Sequence, residues 1–239
     1  LKRLHETGDG DAGLGLHFDL TVPFARYVLE NAGKLEFPFR RYQIQKVWRG
    51  ERPQQGRFRE FTQADIDIVG DGSLPFHADV EVARVMAEAL ALLPVPHLTL
   101  QVSNRKVLEG FYLGLGLAEP TAVMQVVDKL DKLPGEKILE LLAEQGLDPA
   151  QAQACLDLAG ISATDTSFVE EVRALGVTHP LLEEGLGELA AVVDACSSIT
   201  AGGGVTVTAD LRIARGLDYY TGTVFETRMA GYESMGSIC

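Results

Sequence analysis

Residues Arg40 to Val69 read RRYQIQKVWRGERPQQGRFREFTQADIDIV, and the pattern of this stretch decides the fold. Side chains of a strand point to opposite faces in turn. Phe39 to Trp48 reads as one strand and Phe61 to Val69 as a second, with Gly50 to Glu60 between them. That connection is too long for a tight hairpin turn, and long loops between rigid strands commonly carry function. Between Arg40 and Arg59 stand seven basic residues (Arg40, Arg41, Lys46, Arg49, Arg52, Arg57, Arg59) and one acid, Glu51. The chain as a whole has a formal net charge of -13, so this cationic island runs against the bulk. A guanidinium fork matches the oxygens of a phosphate. An arginine-bearing loop between two strands therefore predicts a phosphate-bearing ligand.

The second strand adds to this. One of its faces carries Phe61, Gln63, Asp65, Asp67 and Val69; the other carries Thr62, Ala64, Ile66 and Ile68. The second set reads as a core face. The first sets a ring, an amide and two carboxylates in a row, which a merely solvated face of an antiparallel sheet also explains. The arginine loop directly before it favours a site. Together they predict a place for ATP beside a substrate that bears an amino group.

VWRGERPQQGRFREFTQADIDIVG (Val47 to Gly70) resembles motif 2 of the class II aminoacyl-tRNA synthetases, and within them the histidyl-tRNA synthetase family. Two further stretches agree. FDLTVPFARYV (Phe18 to Val28) is similar to the family's amino-acid contact segment, and ARGLDYYTGTVFE (Ala214 to Glu226) to its histidine-specific signature. Three matches in the family's order are a specific signal, covering most of the chain and loosest between Gly135 and Gly204. The resemblance implies an α+β fold: a mostly antiparallel sheet flanked by helices, with a small helical domain inserted.

It also implies a reaction. The carboxylate of L-histidine attacks the α-phosphate of ATP, giving histidyl-adenylate and pyrophosphate, and the histidyl group then passes to tRNA(His). A carboxylate is already ionised and nucleophilic at neutral pH, so catalysis rests on positioning and charge neutralisation. Arg49 matches the arginine that grips the α-phosphate and the carboxylate, and Arg215 supplies a second cation. Glu51 and Phe61 match adenine contacts, the ring by stacking, and Arg57, with Arg59 as a close rival, matches an arginine reaching the distal phosphates. Asp19, Leu20, Thr21, Gln63 and Asp67 match positions that hold histidine, with Asp67 set to attract the ammonium group. Tyr219 and Tyr220 line the imidazole pocket, without the sequence deciding which of them touches the ring. Mg²⁺ comes with the ATP phosphates, and no separate metal site is expected. The family is dimeric, and a homodimer is expected for the whole protein.

Composition sets bounds on this. Hydrophobic residues make up 46% of 239, ample for a core, and no apolar run approaches the roughly 18 residues of a membrane span. LKRLHETGDGDAGLG, the opening, lacks the apolar centre of a signal peptide. Cys155, Cys196 and Cys239 lie far apart in no metal-ligand spacing, and read as free thiols of a reducing cytoplasm. An acidic bulk is a poor surface for tRNA, so basic contacts must come from the loop or from parts outside this chain.

Along the chain, Pro23 sits in the first turn of a helix that Asp19 or Thr21 caps, ending near Asn31-Ala32-Gly33. Capping and ligand binding by Asp19 and Thr21 are compatible. PFHADVEVARVMAEALALL (Pro75 to Leu93) predicts an amphipathic helix with Ala78, Val82, Val85, Met86, Ala89 and Leu93 facing the core. A strand follows from His97 to Val102, then a helix from Arg105 to about Leu115. From Gly116 short helical periods separated by Gly, Pro and Asp predict the inserted domain, whose acids Glu140, Glu144, Glu170, Glu171, Glu183 and Glu184 read as solvated faces. Gly202 to Gly204 acts as a hinge back to the sheet, where Val205 to Leu211 and Thr221 to Thr227 are strands. The expected domains are thus 1–115 (catalytic, with the hairpin at 39–69), 116–201 (helical insertion) and 202–239 (catalytic, continued). Against the family pattern, motif 1, motif 3 and the anticodon-binding domain are missing. The chain therefore reads as a catalytic-domain fragment, expected to bind histidine and to be impaired in adenylation. A rival reading keeps the fold and drops the chemistry: a histidine-sensing, synthetase-like regulatory subunit of ATP phosphoribosyltransferase. The intact WRGERPQQGRFREF text favours the synthetase.

Overall fold

The computed structural model describes residues 15–50, 52–53, 56–200, 203–214 and 220–239. Expectations for the opening, Glu51, the Gln54-Gln55 tip, Gly202, Arg215 and Tyr219 fall outside them. The chain divides into two compact units, residues 1–78 and 79–239.

The first unit is built on the hairpin. β1 (Phe39–Trp48) and β2 (Glu60–Val69) pair antiparallel without a slip, from Phe39 opposite Val69 to Trp48 opposite Glu60. α1 (Thr21–Asn31) precedes them. Asp19 Oδ1 accepts from the Val22 amide at 3.1 Å, the capping contact expected of a short acid before a helix. α1 passes into a single 3-10 turn at Ala32–Lys34, where the sequence signals an end.

One expectation holds only in part. On the apolar face of the hairpin Ile66 and Ile68 are half-buried, but Thr62 and Ala64 are exposed, and so are Tyr42 and Ile44 on β1, at 79% and 67%. The polar face, carrying Arg41, Gln43, Gln63, Asp65 and Asp67, is half-buried. The cause is the segment before α1. Its His17 carbonyl accepts the Trp48 amide at 2.7 Å and its Leu20 carbonyl accepts Arg41 Nη2 at 3.1 Å, so residues 17–20 lie over the polar face. Alternation defines two faces but does not say which one a neighbouring segment covers.

The second unit holds a four-stranded sheet in the order β4-β5-β3-β6, made of β3 (Leu98–Asn104), β4 (Ser162–Ala163), β5 (Val205–Asp210) and β6 (Thr223–Met229). β3 runs parallel to β5; the other pairings are antiparallel, so antiparallel pairing dominates across the molecule. Leu98, Leu100 and Val102 on β3 and Val205, Val207 and Ala209 on β5 are fully or almost fully buried, the repeat of two that marks one covered face. α2 (His77–Ala91) straddles the division between the units. Its buried positions are Ala78, Ala83 and Ala87, whereas Val85 and Leu93 stand 42% and 49% exposed. Val82 and Met86 of the expected stripe are half-buried and Ala89 is exposed, so the stripe is rotated from the expected one, and Leu93 lies beyond the end of the helix.

α3 (Arg105–Gly114) starts at Asn104, whose Oδ1 accepts the Lys106 amide at 2.9 Å. Five further helices follow: α4 (Pro120–Val127), α5 (Gly135–Glu144), α6 (Pro149–Ala159), α7 (Phe168–Ala174) and α8 (Pro180–Thr200). α3 and α8 cross at backbone contact. A Cβ on Gly110 would lie 2.3 Å from the Leu182 nitrogen, and one on Gly185 would lie 2.5 Å from the Val107 nitrogen. Glycine at both points lets the backbones touch. The six acids named above are all exposed, Glu140 paired with Lys137 and Glu170 and Glu183 with Arg173. No helix among the described residues is long and apolar enough to cross a membrane.

Candidate functional site

The register of the hairpin orders the polar face into rungs: Phe61 beside Val47, Gln63 beside Gln45, Asp65 beside Gln43, and Asp67 beside Arg41. At about 3.4 Å per residue, Phe61 and Asp67 are roughly 20 Å apart along β2. The loop end of this row is cationic and aromatic. Arg49 hydrogen-bonds through its amide to the Arg59 carbonyl at 2.9 Å, which closes the base of the loop. Its guanidinium lies between two rings, 4.9 Å from the Phe18 centroid and 5.1 Å from the Phe61 centroid, and its Nε donates to the Phe18 carbonyl at 3.3 Å. A cation so placed is attracted by both ring faces. Arg57 and Arg59 are exposed on the same loop.

The other end is acidic. Asp67 Oδ2 lies 2.8 Å from Arg41 Nε. Among the described residues neither atom has a hydrogen bond of good alignment, so the two are held as an ion pair, and Gln63 Oε1 is buried without a partner. A buried acceptor left without a partner is costly. Burial pushes the Asp67 carboxyl above the usual carboxylate range; Arg41 opposes this and Asp65 adds to it. The face thus runs from a cationic, aromatic end at the loop to a carboxylate end at Asp67. Asp19, Leu20, Thr21, Arg49, Phe61, Gln63 and Asp67 belong to this unit, Asp19 capping α1 and Leu20 fully buried beneath it. Tyr220 belongs to the second unit and is 43% exposed.

The second unit carries polar groups that the sequence reading passed over. On the face opposite the buried one, Gln101, Asp128, Asp131, Asp210, Arg212, Ile213, Glu226 and Arg228 line a cavity of about 240 Å³. Arg228 donates to Asp131 at 2.9 Å and to Gln101 at 3.3 Å, and Gln101 donates on to Asp210 at 2.5 Å. Asp210 and Glu226 are only 4% and 5% exposed. Their signal was in the text: Thr99-Gln101 and Thr206-Thr208-Asp210 alternate with apolar residues, and Glu226 and Arg228 lie two apart. Among the described residues no cluster of three or more His, Cys, Asp and Glu side chains is gathered to hold a metal ion.

A chain with an antiparallel hairpin in one unit and a mixed four-stranded sheet in the other has the fold of a class II aminoacyl-tRNA synthetase. The histidyl-tRNA synthetase family model matches residues 3–235, and the chain belongs to that family. It is 62% identical over 95% of its length to the histidine–tRNA ligase of Micrococcus luteus, and 54% identical over all of it to that of Thermobifida fusca. These alignments take in 49% and 55% of the two relatives, so the chain spans about half the length of the curated relatives it matches. Among solved structures, the histidyl-tRNA synthetase of Nostoc sp. PCC 7120 superposes with a TM-score of 0.81 at 33% identity, over 93% of this chain and 51% of that one. A Bacillus halodurans protein described as an ATP phosphoribosyltransferase regulatory subunit/histidyl-tRNA synthetase shares the fold at 22% identity, with a TM-score of 0.73, over 90% of this chain and 54% of that one.

Proposed function

We propose that this chain is the catalytic part of a cytoplasmic, homodimeric histidine–tRNA ligase. It would activate L-histidine with ATP and transfer it to tRNA(His). The observation that carries the reading is the row on β2: Arg49 held between Phe18 and Phe61 at one end, the unpartnered Gln63 amide oxygen and the half-buried Asp67–Arg41 pair at the other. Arg49 neutralises the α-phosphate and orients the attacking carboxylate. Phe61 and Glu51 take adenine, and Arg57 takes the distal phosphates. Asp67 accepts the ammonium group, with Gln63 and the Asp19–Thr21 segment completing the histidine contacts. Arg215 as second cation, and Tyr219 and Tyr220 as imidazole contacts, rest on the family signature alone. The donors on the loop are cations, which suit phosphate oxygens and not a metal ion; Mg²⁺ would travel on the ATP phosphates and neutralise them. Segments 1–115 and 202–239 form the catalytic domain in this reading, and 116–201 the helical insertion.

Calorimetric titration with L-histidine, with and without ATP and Mg²⁺, tests it. Saturable binding that rejects other amino acids and weakens in Asp67→Ala and Arg215→Ala supports the site. A folded chain that ignores histidine refutes it.

A further inference from the structure

The geometry points to Asp79 as a positioning residue for Tyr220, acting through Thr223 and the backbone just after that tyrosine. This inference rests on the reading of Tyr220 as an imidazole contact. All the residues involved belong to the second unit. Asp79 stands in the first turn of α2, and its Oδ2 accepts from the Thr223 hydroxyl at 2.7 Å, a bond between residues 144 apart in sequence. Thr223 opens β6 and pairs with Asn104, the last residue of β3. One residue earlier, the Gly222 carbonyl accepts the Arg105 amide at 2.8 Å. That amide is the first of α3, where a helix offers no acceptor of its own. A Cβ on Gly222 would lie 3.6 Å from Asp79 Oδ2, so the carboxylate and this backbone are within van der Waals reach. The receiving junction is itself held: Asn104 is fully buried, accepts the Lys106 amide at 2.9 Å and donates to Glu188 on α8 at 2.9 Å.

The ladder with β3 already holds β6 from Thr223 onward. What Asp79 and Arg105 add is a grip on residues 222 and 223, directly downstream of the signature's tyrosines. Tyr220 is 43% exposed, so burial alone does not fix its ring, and the direction of the chain leaving it is set at Gly222 and Thr223. A hydrogen bond to a carboxylate is stronger than one to a neutral acceptor, and here both partners are half-buried. The residues read as ATP contacts, Arg49, Arg57 and Phe61, all lie in the first unit. A plain fastener would lower stability and affect every ligand alike. A positioning role predicts a loss that falls on histidine, spares ATP and shrinks once the Tyr220 hydroxyl is gone.

The test is calorimetric titration of the full 239-residue chain with L-histidine and, separately, with ATP and Mg²⁺, with thermal unfolding alongside. The variants are Asp79→Ala, Thr223→Val, Thr223→Ser, Tyr220→Phe and the double variant Tyr220→Phe/Thr223→Val. Thr223→Val keeps the branched shape that suits a strand and removes only the hydroxyl, which covers the case in which Asp79→Ala does not fold. Asp79→Ala and Thr223→Val are each expected to weaken histidine about 10-fold, the scale of one charge-assisted hydrogen bond, with ATP affinity unchanged. Thr223→Ser keeps the donor and brings histidine affinity back to within about twofold of wild type. In the Tyr220→Phe background Thr223→Val costs less than it does in the wild type, because both changes act through one side chain. Wild-type histidine affinity in folded Thr223→Val, an equal loss of histidine and ATP, or fully additive losses in the double variant overturns the inference, while Tyr220→Phe still weakens histidine. Histidine binding untouched by Tyr220→Phe, or none in the wild type, overturns the imidazole reading and the role of Asp79 with it.

Discussion

Replacing Arg49 by alanine separates chemistry from stability. In the folded chain the guanidinium has two ring contacts, at 4.9 and 5.1 Å, and one carbonyl contact at 3.3 Å. Cation–π contacts near solvent are each worth about 0.5–1 kcal/mol, and a long hydrogen bond at the surface adds less than that. The stability loss is therefore about 1–2 kcal/mol, or a fall in Tm of roughly 2–8 °C for a chain of this size. Loss of a charge aimed at the reacting phosphate costs about 2.7–4 kcal/mol of transition-state stabilisation, or 10²–10³ in rate. The assay is histidine-dependent ATP–pyrophosphate exchange, in a chain of the relatives' full length carrying these residues, with Tm recorded on the same samples. The expected result is a kcat reduced by two to three orders of magnitude at near-native stability, with Arg49→Lys in between because it keeps the charge and loses the fork. A folded Arg49→Ala variant within about threefold of wild type refutes the assignment, and so does a rate loss matched by unfolding.

Further outcomes follow from the same structure. Gly110→Ala and Gly185→Ala each place a methyl group against backbone at 2.3 and 2.5 Å, which forces α3 and α8 apart; overpacking of this kind costs about 1–3 kcal/mol, read as the urea midpoint, whereas Gly187→Ala, with open space around it, stays near wild type. Burial lifts the Cys155 thiol to about 12, and Cys196 is likewise buried; mass spectrometry after brief alkylation at pH 8 should find Cys239, the exposed one, modified first. The folded-state pKa of Asp67 exceeds its unfolded value, so the folded chain holds that proton more tightly. The unliganded chain therefore carries the cost of ionised Asp67 above the folded pKa and sheds it as pH falls toward the unfolded value of about 3.9, a component of urea-midpoint stability that Asp67→Asn removes.

Much of this was legible in the sequence. β1 begins and ends where its alternation does, at Phe39 and Trp48, and β2 begins at Glu60, one residue before the first alternating position. α5 to α8 fall on the short apolar periods, because Gly, Pro and Asp mark their ends, whereas VVDKLDKL (Val126 to Leu133) holds the end of α4 and a 3-10 turn at Asp128–Asp131. What escaped depends on neighbours that a local pattern does not name. The coverage of the polar face comes from the Leu20 carbonyl meeting a guanidinium 21 residues away. β4 is two residues long, and its place beside β5 has no period to announce it. The parallel pairing of β3 with β5 joins residues 107 apart in sequence. Arg41 belongs to the cationic stretch from Arg40 to Arg59, yet it sits at the end of the strand away from the loop, paired with Asp67.

One measurement tests the central claim most directly: ATP–pyrophosphate exchange by a full-length chain, run with each of the twenty amino acids in turn. The account predicts exchange with L-histidine alone, lost in Asp67→Ala. Histidine binding without exchange would mark a sensor that keeps the pocket and lacks the chemistry, and exchange driven by a different amino acid would contradict the assignment of the site.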